Sequence, residues 1–184
     1  MTTSDQARAQ LLVDLINTHY LGDQSDVLAE AGATRWLRDH ASHQCRDITA
    51  GALAPLRRVR EGLRQLAIAN NEGKPDTDVV AQADAALRRA PIVVSLSEAG
   101  PDPAARSNAS AGTVEGVLTT VAIAYLSSRI GGTWRRVKAC AEPDCRWAFL
   151  DLSRNASRRW CDMSECGNRA KNRAWRSRQT SPAG

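Results

Sequence analysis

Four cysteines near the C-terminus are the residues with the most specific chemistry. Cys140 and Cys145 bracket Ala-Glu-Pro-Asp, and after fifteen residues Cys161 and Cys166 bracket Asp-Met-Ser-Glu. Two pairs of equal spacing, one on a turn with Pro143 and one at the mouth of a basic helix, form the pattern of a four-thiolate zinc site. Zn2+ takes four ligands tetrahedrally, and two short loops each offer two sulfurs from one side without straining the backbone. Disulfides are the competing reading. No signal peptide is recognised ahead of these residues, so a cytoplasmic setting is expected, where a reducing milieu disfavours them. One structural Zn2+ is expected. Cys45, about a hundred residues upstream in a polar neighbourhood, reads as an ordinary partly buried thiol.

The ligands need elements to hold them. Trp134 to Ala139 leads into the first pair as one strand and Arg146 to Asp151 leaves it as another, a hairpin pinned by the metal. Trp147, Phe149 and Trp160 are expected to form a miniature core rather than a base-stacking surface, because so short a segment buries too little apolar area unaided. Ser164 to Arg178 reads as a helix whose first turn carries Cys166, a treble-clef-like arrangement. Gly167 is expected where a side chain would crowd the sulfurs or the neighbouring loop. Asn168 is expected to close the turn by a backbone hydrogen bond, and Arg169 to serve the thiolates or a phosphate, with the metal favoured.

At these residues the chain resembles the CGNR zinc finger family, named for a tetrad that stands here as Cys166-Gly167-Asn168-Arg169. The likeness extends through Cys140, Cys145, Phe149 to Ser153, Arg158 to Cys161, Met163 and Lys171 to Arg178. Proteins of this family usually carry an N-terminal domain called ABATE and are regarded as stress-induced transcription regulators that bind DNA through the finger. Leu15 to Thr18, Trp36-Leu37 and Arg60-Glu61 look like that domain's sparse landmarks. The resemblance implies a helical N-terminal domain over residues 1–132, for ligand sensing or dimerisation, and a finger over 133–184 with a basic helix and a short disordered tail.

Composition agrees with two differently built parts. Four of five tryptophans fall in the last fifty or so residues. The net charge of +5 is unevenly placed: residues 134–178 carry twelve basic and five acidic side chains, the remainder thirteen and fifteen. The finger is therefore the part that faces a polyanion. Arg169, Arg173 and Arg176 share one helix face, Lys171, Trp175 and Arg178 line a second, and Arg158 and Arg159 precede them. Such a helix lies along a duplex groove and meets phosphates, so DNA is the expected partner and these seven cations the expected contacts. The alternatives are a zinc-stabilised module for RNA or a protein, or simply a solvated basic helix. Catalysis is not expected, since four cysteines fill the metal's shell and no nucleophile, P-loop or dinucleotide signature appears. A small-molecule effector at the N-terminal domain and a homodimer are compatible partners, although no heptad run marks an interface. Twenty-two arginines against three lysines, with many alanines, suggest a GC-rich bacterial genome.

Upstream, the pattern predicts a mainly α protein with a small β-hairpin. Helices are expected over Ser4–Tyr20, in one or two pieces over Asp26–His40, over Leu53–Asn70 with Pro55 in its first turn, and from Asp76 or Thr77 to Ala90. Ile92 to Leu96 reads as a strand, with Arg106 to Ser110 as a weak partner. Thr113–Ile130 is expected to be the most buried helix, ended by Gly131-Gly132. Asn17-Thr18 is expected to cap a helix end, His19 to be a satisfied, partly buried histidine, and Arg57, Arg58, Arg60, Glu61 and Arg64 to form a solvated face, with an anion-binding groove as the minority reading.

Overall fold

The computed structural model describes residues 3–29, 32–40, 49–88, 90–94, 105–107 and 112–180. Among the described residues six α-helices carry the fold: α1 (Thr3–Ile16), α2 (Ala33–His40), α3 (Ala54–Ala69), α4 (Thr77–Leu87), α5 (Val114–Ile130) and α6 (Asn168–Thr180). The strands are short and pair as three antiparallel hairpins, β1 (His19–Tyr20) with β2 (Ser25–Asp26), β3 (Ile92–Val94) with β4 (Ala105–Ser107), and β5 (Val137–Ala139) with β6 (Ala148–Leu150). The protein is mainly α with small hairpins, as expected. Cys45, residues 95–96 and 108–110 of the expected strands and the tail after Thr180 lie outside the described residues.

Local chemistry places the helix ends. Asp76 accepts from the amides of Asp78 and Val79 to start α4, and Thr113 accepts from Gly116 to start α5. Pro55 occupies the first turn of α3, where its missing N–H costs nothing. Gly62 lets α3 and α4 close on each other: a Cβ there would sit 2.2 Å from that of Ala83. Gly132, at φ 74°, turns the chain out of α5 in a conformation open to glycine.

One apolar core joins Leu12, Leu15 and Ile16 of α1, Leu56, Val59 and Leu63 of α3 and Val117, Leu118 and Val121 of α5. It also takes in Trp134, Val137, Ala139 and Ala148, so the β5–β6 hairpin is a wall of the same core. α3 is buried more continuously than α5, whose Leu126 and Ile130 are exposed. The expected solvated face of α3 is corrected at two positions. Arg60 and Arg64 are only 2% exposed, because each guanidinium finds a full set of acceptors. Arg60 grips Asp26 through two nitrogens, and also donates to Glu61 and Thr18. Arg64 donates to Glu61 and to the carbonyls of Ile16, His19 and Arg146. His19 completes the network with Nδ1 3.0 Å from Glu61.

Candidate metal centre and basic helix

The first thiol pair hangs on the turn of the β5–β6 hairpin. Cys140 N donates to Trp147 O, extending the ladder by one rung, and the amides of Cys145 and Arg146 both fold back on the Glu142 carbonyl. Arg146, at φ 51°, completes the reversal. In the second pair Cys161 sits on a bend and Cys166 in the π turn that follows it, Met163–Gly167, which feeds α6. Asp162 caps it, accepting from the amides of Ser164 and Glu165 and from the Ser164 hydroxyl. Those hydrogen bonds, Ser164's first, hold the Asp162 carboxyl below its ordinary value. Asn168 donates to the Ser164 carbonyl at 2.8 Å, the expected turn closure.

Both loops deliver their sulfurs to one point. The four Sγ atoms of Cys140, Cys145, Cys161 and Cys166 lie within 4.8 Å of one another, with Cys145 and Cys161 3.6 Å apart and Cys161 and Cys166 3.7 Å apart. A tetrahedron with Zn–S bonds of about 2.3 Å has an edge of about 3.8 Å, so the set fits one Zn2+. Three of the cysteines are buried and Cys161 is half-buried, with Trp160 packed on the cluster. Without a cation these thiols conflict. The hydrogen bond from Cys145 pulls Cys140 down to about 5, the same bond pushes Cys145 up, and burial pushes Cys161 up to about 12. A divalent ion resolves this by stabilising all four thiolates together.

The cations around the centre divide into two groups. Arg169 places Nη2 3.3 Å from Cys166 Sγ and serves the metal site. Arg173 Nη2 donates to Glu142 Oε2 at 2.5 Å; Glu142 is 2% exposed, so this bond bolts α6 to the first knuckle. Arg158 lies over the Phe149 ring at 4.7 Å and donates to the carbonyls of Trp160 and Cys161. Arg159 reaches Glu72 at 3.7 Å, an exposed pair. Lys171 and Arg178 are exposed and have no partner among the described residues; Arg176 is exposed and has one.

Some of the structure's supports escaped the sequence reading. Lys138 and Asp151, both buried, form a 2.9 Å ion pair. Lys138 also donates to Arg158 O, and Asp151 accepts from Ser153 and from Arg158 N, so the pair folds the return loop 152–159. Burial raises the Asp151 carboxyl, but the hydrogen bonds from Ser153 and Lys138 outweigh it and hold it low. The only hints were a lysine in an arginine-rich chain and an aspartate at the end of an apolar strand. Three asparagines tie the finger to the helices. Asn17 pairs with both backbone groups of Ala148, where helix capping had been the favoured expectation for it, while Thr18 donates to Leu15 O as a cap does. Asn70 donates to Trp134 O and Val137 O, and Asn71 to Ala139 O and Arg159 O.

Two expectations are refined. Phe149 is buried and Trp160 half-buried, but Trp147 is 37% exposed and packs edge-on against Tyr20 of the helical part, ring centroids 5.7 Å apart. A Cβ at Gly167 would lie 2.5 Å from the Met163 sulfur, so the crowding comes from the π turn itself rather than from the thiolates.

Comparison with known families finds two matches. The CGNR zinc finger family model covers residues 136–179, and the ABATE model, described as "Putative stress-induced transcription regulator", covers residues 9–128. No curated protein matches the chain.

Proposed function

Because the chain belongs to the ABATE family and carries a CGNR zinc finger, we propose that it is a DNA-binding transcription regulator whose zinc centre presents α6 to the duplex. The observation that carries this reading is the charge of α6: Arg169, Lys171, Arg173, Arg176 and Arg178 on thirteen residues without one acid. Zinc and the Glu142–Arg173 bond fix the helix base, and residues 171–179 are all exposed. Arg169 and Arg173 face Cys166 and Glu142; for Lys171 and Arg178, with no acidic neighbours on the helix, the natural counter-charge is a polyanion. The four thiolates fill a tetrahedral shell, which supports a structural rather than catalytic metal.

The N-terminal part has a place for an effector. A cleft of about 400 Å³ beside α3 and α4 is lined by Asp26, Arg57, Arg58, Arg60, Glu61 and Val79 among others. Glu61 joins that cleft to Arg64, which donates to the carbonyl of Arg146 next to Cys145. An occupant that disturbs Glu61 thus acts on the first knuckle through two hydrogen bonds.

The test is fluorescence anisotropy of the zinc-loaded protein with duplex DNA, duplex RNA of the same sequence and a heparin control, at two salt concentrations. Duplex DNA is expected to bind tightest, with a log–log salt slope near −4.5 if about five cations neutralise phosphates. Equal affinity for all three polymers at both salts overturns the assignment.

A further inference from the structure

α6 has two unlike sides, and the structure commits only one of them to the protein. Arg169 and Arg173 point at Cys166 and Glu142, which fixes the inward line of the helix. At 100° per residue, Lys171, Trp175 and Arg178 lie about 180° away from that line. All three are exposed, and Trp175 keeps 54% of its surface in solvent. A large exposed indole is costly in water, and among the described residues more than half of it stays uncovered. It stands between two cations without partners among the described residues, one four positions before it and one three positions after.

We propose that Lys171, Trp175 and Arg178 form the face of α6 that meets DNA, and that Trp175 stacks on a base at a locally opened step of the duplex. This rests on the DNA-binding reading and sharpens it. Lys171 and Arg178 are about 10 Å apart along the helix axis, close to three steps of one DNA strand at 3.4 Å each. They hold phosphates that flank a run of about three nucleotides, among which is the one that the indole addresses. An aromatic face is tolerant of base identity, and the opening cost is smallest at pyrimidine–purine steps, so the preference this contact adds is for deformable sequence. Arg169 and Arg173 keep their positions at the zinc centre throughout.

The experiment compares full-length, zinc-loaded wild type with Trp175→Ala, Trp175→Phe and the double variant Lys171→Ala/Arg178→Ala. Each is titrated against a mixed-sequence duplex containing TA steps, and against the same duplex with one unpaired thymine, at two salts. Wild type is expected to bind the bulged duplex about tenfold more tightly, because its opening is already made. Trp175→Ala is expected to bind the matched duplex about fivefold to a hundredfold more weakly, with the salt slope unchanged and the bulge preference gone; Trp175→Phe keeps most of both. The double variant should shallow the slope by about 2 and keep the bulge preference. Zinc content identical to wild type shows that each variant is folded at the finger. Wild-type affinity in Trp175→Ala, or a weakening that shallows the slope and spares the bulge preference, overturns the inference and leaves DNA binding standing. Failure of wild type to bind either duplex removes the DNA reading itself and this inference with it.

Discussion

Asp151 and Lys138 show how one buried pair organises a loop without secondary structure. Neither is at the metal, yet their acceptors and donors gather Ser153, Ala156 and Arg158 into the return path to Cys161. Replacing Asp151 by Asn strands a buried ammonium, and we expect a loss of about 3 kcal/mol or more in thermal or denaturant unfolding. The pH dependence has a definite sign. The native carboxyl titrates below its ordinary 3.8, so its contribution is complete above that value and fades as pH falls through the lower native value. The stability gap between wild type and Asp151→Asn should therefore be constant at neutral pH and shrink below about pH 4; a gap that widens on acidification contradicts the assignment. The thiolate ligands were legible from spacing alone, because metal geometry leaves few alternatives. Glu142, Lys138 and Asp151 were not, since a lone charge in a sequence looks the same whether it faces water or a partner brought from 13 or 31 residues away.

Among the elements, α6 is the least self-sufficient. It has five cations and no intrahelical ion pair to offset them, and its residues 171–179 are all exposed, with Arg173 tying it to Glu142. A helix of about a dozen residues is marginal in water even with good formers, and like charges at neighbouring turns weaken it further. Far-ultraviolet circular dichroism should show its helicity rise when salt or duplex DNA is added and fall at low ionic strength; no change in either direction would mean the helix is held some other way. Arg173→Ala releases the Glu142 bolt, and increased amide exchange over 170–180 with zinc retained is the expected result. Most helix positions were readable because apolar period and caps are local signals, as at Asp76 and Thr113, but His19–Tyr20 and Asp26, expected within helices, pair instead as strands β1 and β2. The mistaken part concerned α3: a run of arginines reads as solvated until Asp26, His19 and three main-chain carbonyls fold around it. Those acceptors come from elements up to eighty residues distant, which no periodicity reports.

At the scale of the whole molecule, two family matches meet in one packed body. The hairpin that carries Cys140 and Cys145 lends Val137, Ala139 and Ala148 to the core of the helices. Metal removal should consequently act in layers. With a chelator, hydrogen exchange is expected to rise first across 151–180, while β5 and β6 keep protection from Asn17, Asn70, Asn71 and their apolar contacts; simultaneous loss over β5, β6 and α6 would mean that zinc alone holds the hairpin. Sequence signals placed the boundary at the glycines after α5 because composition changes there, whereas the packing that crosses it belongs to side chains far apart in the chain. The asparagine clasps have a practical corollary. A fragment starting at residue 133 would bare Trp134, Val137 and Ala148 and lose every amide that answers its outer rungs, so it should be insoluble when excised. Grafting onto a foreign scaffold would succeed only where the host supplies matching carboxamides, making the finger and its base heritable as one unit rather than as exchangeable parts.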